Sequence, residues 1–187
     1  TLLSYYIDNQ IDPVPIPLLD DIAWETHVAK RRNLYERHLG IPLSLLRDRS
    51  VIEFGCNSGE NALVLASVGA NLTLVEPNPQ AVERLLELFS RFGYRDRVVE
   101  VVQESIERFE VGSNYDLVIA EGFLSTLEHR NQMLDKLCRL MAPDGLAIVS
   151  INDRIGHLLE IFRKILFWRA YRLEGLADVR SADSLAL

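Results

Sequence analysis

Cysteine is nearly missing from this chain. The two it has, Cys56 and Cys138, stand far apart with no metal-type spacing. That removes a zinc ribbon or a disulfide scaffold and points to a reducing, cytoplasmic setting. Positive charge is also in the minority, with 20 Lys and Arg against 27 Asp and Glu and a net charge of -7. A nucleic-acid backbone is therefore not expected as a partner, because phosphate binding needs a basic face. Residues 1–10 have neither a basic start nor an apolar run, so no signal peptide is expected. No long uncharged apolar run occurs either. The richest stretch, 155–168, holds Glu160, Arg163 and Lys164, so no membrane span or membrane partner is expected. Repeats and low-complexity tracts are absent. What remains, with 187 residues of which 48% are hydrophobic, suits one soluble α/β-sized domain with a substantial core.

The most informative segment is 51–62, VIEFGCNSGENA. Val51, Ile52 and Phe54 read as a buried parallel strand carrying an acid, Glu53, just before its end. Gly55 and Gly59 bracket a tight turn, and Ala62, Leu63, Leu65 and Ala66 follow at helical spacing. A strand, a glycine turn and a helix N-terminus offer bare backbone N–H groups to a small ligand. Residues 70–77 repeat the pattern, with a second strand ending in Glu76. Acids at two consecutive strand ends point to a ligand with a ribose, whose hydroxyls such an acid accepts.

The rest of the chain alternates. Strands are expected at 50–54, 71–76, 98–102, 115–120 and 145–151. Helices are expected at 60–68, 79–92, 129–141 and 155–172, with a short one near 104–109. Ahead of them, a proline-rich arm at 8–19 leads to a helix capped by Asp20 or Asp21 and ending at Gly40. Its buried stripe is expected to be Ile22, Val28, Leu34 and Leu39, while His27, Arg31 and Tyr35 fall at four-residue steps on another face. Cys138 is expected in the core. The predicted fold is α/β: a Rossmann-like, doubly wound, mostly parallel sheet with helices on both faces, an N-terminal helical arm and a helical C-terminal extension. The parts are an arm and helix at 1–40, a core at 41–152 and a helical segment at 153–187, and the chain reads as a fragment of a longer polypeptide.

Between about residues 48 and 152 the chain resembles the class I S-adenosylmethionine-dependent methyltransferases. The resemblance rests on five stretches in order: Glu53-Phe54-Gly55-Cys56-Asn57-Ser58-Gly59, Glu76-Pro77-Asn78, Gln103-Glu104-Ser105, Tyr115 to Glu121, and Leu140 to Gly145. Asn57 replaces the middle glycine of the family's first motif, and it tolerates the same left-handed backbone. The resemblance implies S-adenosyl-L-methionine as cofactor. It would place Gly55, Cys56, Asn57 and Gly59 along the methionine part, with Glu53 organising loop and amino group. Glu76 would accept from the ribose hydroxyls, Pro77 and Asn78 would lie on one adenine face, and Gln103, Glu104 and Ser105 would lie near the adenine edge. Glu121, Gly122 and Phe123 would border the sulfonium and the substrate entrance.

Methyl transfer to an oxygen or nitrogen of a small-molecule acceptor is the implied activity. His129, after the fourth strand at a helix start, is the candidate general base. The face of His27, Arg31 and Tyr35, with Tyr5 and Tyr6, either closes over the substrate or packs on the domain. The apolar 155–172 helix would form a substrate lid or a homodimer contact. Two readings from other classes stand beside this one. A binding or scaffold protein would keep the fold without catalysis. A nicotinamide-dependent oxidoreductase would need Gly-x-Gly-x-x-Gly, where 55, 57 and 60 are Gly, Asn and Glu. No metal ligand set is read from the sequence.

Overall fold

The computed structural model describes residues 16–110 and 112–151 and, beyond them, Leu158, Phe162, Ile165, Leu166 and Arg169. The proline arm before Ile16, with Tyr5 and Tyr6, and most of the helix expected at 155–172 lie outside the described residues. The chain divides into two units, Thr1–Ser150 and Ile151–Leu187. In the second, Leu158, Phe162, Ile165 and Leu166 are helical and exposed. Among the described residues no helix is long and apolar enough to cross a membrane.

The first unit is built on five strands, β1 (Ser50–Phe54), β2 (Asn71–Val75), β3 (Val98–Val102), β4 (Tyr115–Ala120) and β5 (Met141–Val149). They pair in the order β3-β2-β1-β4-β5, every pair parallel. The helices are α1 (Asp21–Arg32), α2 (Glu60–Ser67), α3 (Pro79–Arg91) and α4 (Arg130–Leu140). Successive strand residues point to opposite faces, and two apolar clusters follow. Val51, Leu117 and Ile119 pack with Leu63, Leu85 and Phe89 of α2 and α3. Ile52, Phe54, Val118 and Ala120 pack with Met133, Leu137 and Leu140 of α4. The sheet is covered on both sides, which is why β1 and β2 are buried on both faces after their first residue.

Four sequence expectations change. The buried stripe of α1 is only partly the expected one: Val28 is half-buried against the core, but Ile22 is 76% exposed and Leu39 42%, while His27 and Tyr35 are buried. Residues six apart fall about two-thirds of a turn round a helix, so 22, 28 and 34 never shared a face. Residues four apart do. Past Arg32 the helix widens to a π turn at Asn33–His38, and the Leu39 amide reaches back to the Leu34 carbonyl. Residues 104–109 form a turn closed by Arg108 and Phe109 amides on the Ser105 carbonyl, with no helix. Strand β5 starts at Met141, directly after α4. Its register jumps from Tyr115↔Met141 to Leu117↔Leu146, so the expected turn at 143–145 is a bulge inside the strand. A Cβ on Gly145 would stand 2.8 Å from the Tyr115 carbonyl, which explains glycine there. Cys138 is exposed rather than core, because α4 turns Met133, Leu137 and Leu140 inward.

Candidate functional site

In the order β3-β2-β1-β4-β5 the chain reverses direction of winding between β1 and β4, and open sheets of this kind bind ligands in the crevice at the strand ends there. Phe54 leads into the glycine loop on one side of that crevice, and Ala120 leads into Glu121 on the other. The loop alternates left-handed residues, Gly55 at φ +66°, Asn57 at +48° and Gly59 at +84°. Asn57 holds a conformation that few side chains other than Asn and Asp accept readily.

Glu76 fixes this loop. Its Oε2 accepts the Asn57 amide at 2.9 Å, and its Oε1 accepts the Asn78 amide at 2.9 Å. A buried carboxylate at the end of β2 thus joins the β1 loop to the start of α3. Asn78 caps α3, its side chain accepting from the Gln80 amide at 3.1 Å. The Val102 carbonyl accepts both the Glu76 and Glu104 backbone amides, so the start of the loop after β3 is tied to the main chain at Glu76. Pro77 lies half-buried between Glu76 and Asn78.

Gly59 serves packing. A Cβ there would stand 2.9 Å from Leu85 Cγ and 3.1 Å from the Phe89 ring. Gly59→Ala should cost about 2–4 kcal/mol, the left-handed strain and the overpacking together. Urea denaturation would read this as a lower midpoint with unchanged slope, and an unchanged midpoint would refute it. Gly55 is crowded differently: a Cβ would meet two Phe123 ring carbons at 3.0 Å, so the segment after β4 rests on the loop itself. Gly122, exposed at φ +86°, donates its amide to Ser150 Oγ at 2.5 Å and so links that segment to the end of β5. Cys56 is buried, and burial pushes its thiol pKa well up, away from the thiolate a nucleophile needs.

The polar face of α1 packs on the domain. His27 Nε2 donates to the Glu60 carbonyl at 3.0 Å, and burial lowers its pKa so that the ring is neutral at pH 7. Arg31 Nη2 donates to Glu121 Oε2 at 2.9 Å and to the buried Tyr35 hydroxyl at 3.4 Å. The Arg31–Glu121 pair is one that sequence reading missed. The four-residue spacing showed the face but not its partner ninety residues on.

Glu53 is fully buried, and burial first, then the charges of Glu121 and Glu76, raise its pKa to about 7 against the opposing pull of Arg31. Among the described residues, its Oε2 and the Arg31 Nε are the buried side-chain polar atoms without a hydrogen bond. One is an acceptor and the other a cationic donor, and each is costly to leave unpaired. The structure therefore gathers Glu53, Gly55, Cys56, Asn57, Gly59, Glu76, Asn78, Glu121 and Phe123 around the crevice. His129 is exposed, one residue before α4. Among the described residues no group of His, Cys, Asp or Glu is arranged to hold a metal ion.

The family model for a methyltransferase domain matches residues 27–187. The chain is similar to the ubiquinone biosynthesis O-methyltransferase of Rickettsia akari, 26% identical over 137 residues, covering 73% of this chain and 50% of that protein. It thus spans about half the length of the curated relatives it matches. Among the solved structures that share the fold are the following two. PKMT2 from Rickettsia typhi in complex with AdoHcy superposes with a TM-score of 0.60 at 20% identity, covering 78% of this chain and 28% of that one. The N-methyltransferase NodS from Bradyrhizobium japonicum, in complex with S-adenosyl-L-homocysteine, gives 0.55 at 21%, covering 81% and 75%.

Proposed function

This chain belongs to the methyltransferase domain family, with the fold of its S-adenosylmethionine-dependent class I members, and we propose that it methylates an oxygen of a small-molecule acceptor. The observation that carries the reading is the pair of orphaned buried atoms. S-adenosylmethionine ends in an ammonium and a carboxylate on one carbon, and Glu53 Oε2 and Arg31 Nε are a free acceptor and a free cationic donor among the groups bordering the β1 loop. The residues present fit the cofactor: Glu53 takes the ammonium and Arg31 the carboxylate. Glu76, buried at the end of β2, takes the ribose hydroxyls. Pro77 would lie against the adenine, with the loop of Glu104 and Ser105 at its edge.

Once bound, the cofactor supplies a methyl group already activated by its sulfonium. The chain's own task is then alignment and water exclusion. Phe123, resting on Gly55, and Glu121, held by Arg31, border the reacting side. His129, exposed one residue before α4, is the candidate to take the proton of an acceptor hydroxyl. Choice of oxygen over nitrogen follows the name of the Rickettsia akari relative.

Calorimetric titration with S-adenosylhomocysteine tests the cofactor reading, with NAD as a parallel ligand. Micromolar binding of the former alone is expected. Binding of NAD, or of neither, would sink it.

A further inference from the structure

A cation far from the crevice in sequence holds the loop that would meet the adenine. Lys136 sits on α4, three residues after Met133 and four before Leu140, and so on the side of the helix that packs on the sheet. Its Nζ donates to three backbone carbonyls, Ile106 at 2.8 Å, Glu107 at 2.9 Å and Phe109 at 2.8 Å. An ammonium has three donors, and all three are spent here. The carbonyls belong to the 104–109 turn, which forms no helix and cannot satisfy them internally.

What this turn carries gives the contact a consequence. Ile106 is buried in the cluster with Phe54 and Val75, and the Phe109 ring meets the Phe54 ring edge-on at 5.3 Å. Phe54 is the residue before Gly55. At the other end of the turn, Glu104 shares the Val102 carbonyl with Glu76. A single lysine thus anchors a segment that packs on the last residue of β1 at one end and meets the main chain of Glu76, through the shared Val102 carbonyl, at the other.

We infer that Lys136 is a positioning residue that sets adenine recognition by holding the 104–109 turn against the ends of β1 and β3. The inference rests on the reading of the crevice as an S-adenosylmethionine site. A plain structural clip would lower stability without altering which base is preferred. A positioning role must alter that preference.

The test measures affinity for S-adenosylhomocysteine and for S-inosylhomocysteine, in which a keto oxygen replaces the adenine amino group. Lys136→Met should weaken the adenosyl ligand about tenfold, the worth of one hydrogen bond lost from a misplaced loop. It should weaken the inosyl ligand less, so that discrimination narrows. Lys136→Arg keeps the charge but not a compact three-donor head. It should fall between the two and serves if the methionine variant fails to fold. Faster amide hydrogen exchange confined to 103–109 should accompany both. Equal losses for both ligands, or affinities within about twofold of wild type, would overturn the role. If the wild-type chain binds neither ligand, the cofactor reading falls and this inference falls with it. If it binds both without a difference, only the inference falls.

Discussion

Glu76→Ala is expected to weaken S-adenosylhomocysteine binding by at least about 100-fold, because two functions leave with one side chain. The carboxylate would accept the ribose hydroxyls, and hydrogen bonds to a charged acceptor contribute roughly 1.5–3 kcal/mol each. It also accepts the Asn57 and Asn78 amides. Alanine leaves those amides without the carboxylate, so the left-handed Asn57 loses what pins it. Stability should drop by about 1–3 kcal/mol for an unsatisfied buried donor, with the fold retained because the sheet register does not depend on Glu76. Glu76→Gln separates the two functions. Its amide oxygen still accepts from one backbone N–H, while its NH2 faces the other as a second donor, so the loop is only half held. Calorimetry on all three proteins, with urea denaturation beside it, gives the comparison. An alanine variant that binds as tightly as wild type would remove Glu76 from the site.

The same carboxylate shows why parts of the fold were legible and others were not. Strands β1, β3 and β4 fall on the residues read from sequence: β1 and β4 are inner strands buried on both faces, which demands apolar residues, and the edge strand β3 is marked by its valines after the Asp96-Arg97 turn. The glycine loop was legible since few residues other than Gly, Asn and Asp suit φ values of +66°, +48° and +84°. Alpha-helix α1 misled because its inward face is polar. Tyr35 and His27 are buried and Ile22 is not, an inversion no hydrophobic count can show. Its reason lies across the fold, in the Glu60 carbonyl and in Glu121. Lys136 was invisible for a related cause: its partners are backbone carbonyls, which leave no trace in side-chain identity. The start of β5 was missed because a proline and a glycine, Pro143 and Gly145, signalled a turn that the strand absorbs as a bulge.

Binding of the cofactor product should release a proton from Glu53, and affinity should rise about tenfold per pH unit from below pH 6 until it levels off near 7. In the free protein Glu53 is wholly buried, and its carboxyl titrates at about 7 because burial, Glu121 and Glu76 outweigh the nearby guanidinium of Arg31. That guanidinium is already engaged with Glu121 at 2.9 Å. A ligand ammonium beside Oε2 favours the charged carboxylate, so the bound state holds Glu53 ionised across the window where the free state keeps its proton. The sign for stability follows from the same group. A folded-state pKa above the ordinary 4.5 means that the folded chain binds more protons than the unfolded one between about 4.5 and 7. This contribution is complete below the lower value and is lost as pH rises through the upper one. Bound ligand should remove that loss, since it lowers the folded-state pKa again. Titrations at pH 6 in buffers of different ionisation enthalpy should show the release as a buffer-dependent heat approaching one proton, fading by pH 8.5. Glu53→Gln carries an uncharged side chain of the same shape, so its binding should be weaker and its heat independent of buffer. A wild-type heat equally independent of buffer at pH 6 would show that the free carboxyl is already ionised and that Arg31 outweighs burial in the crevice.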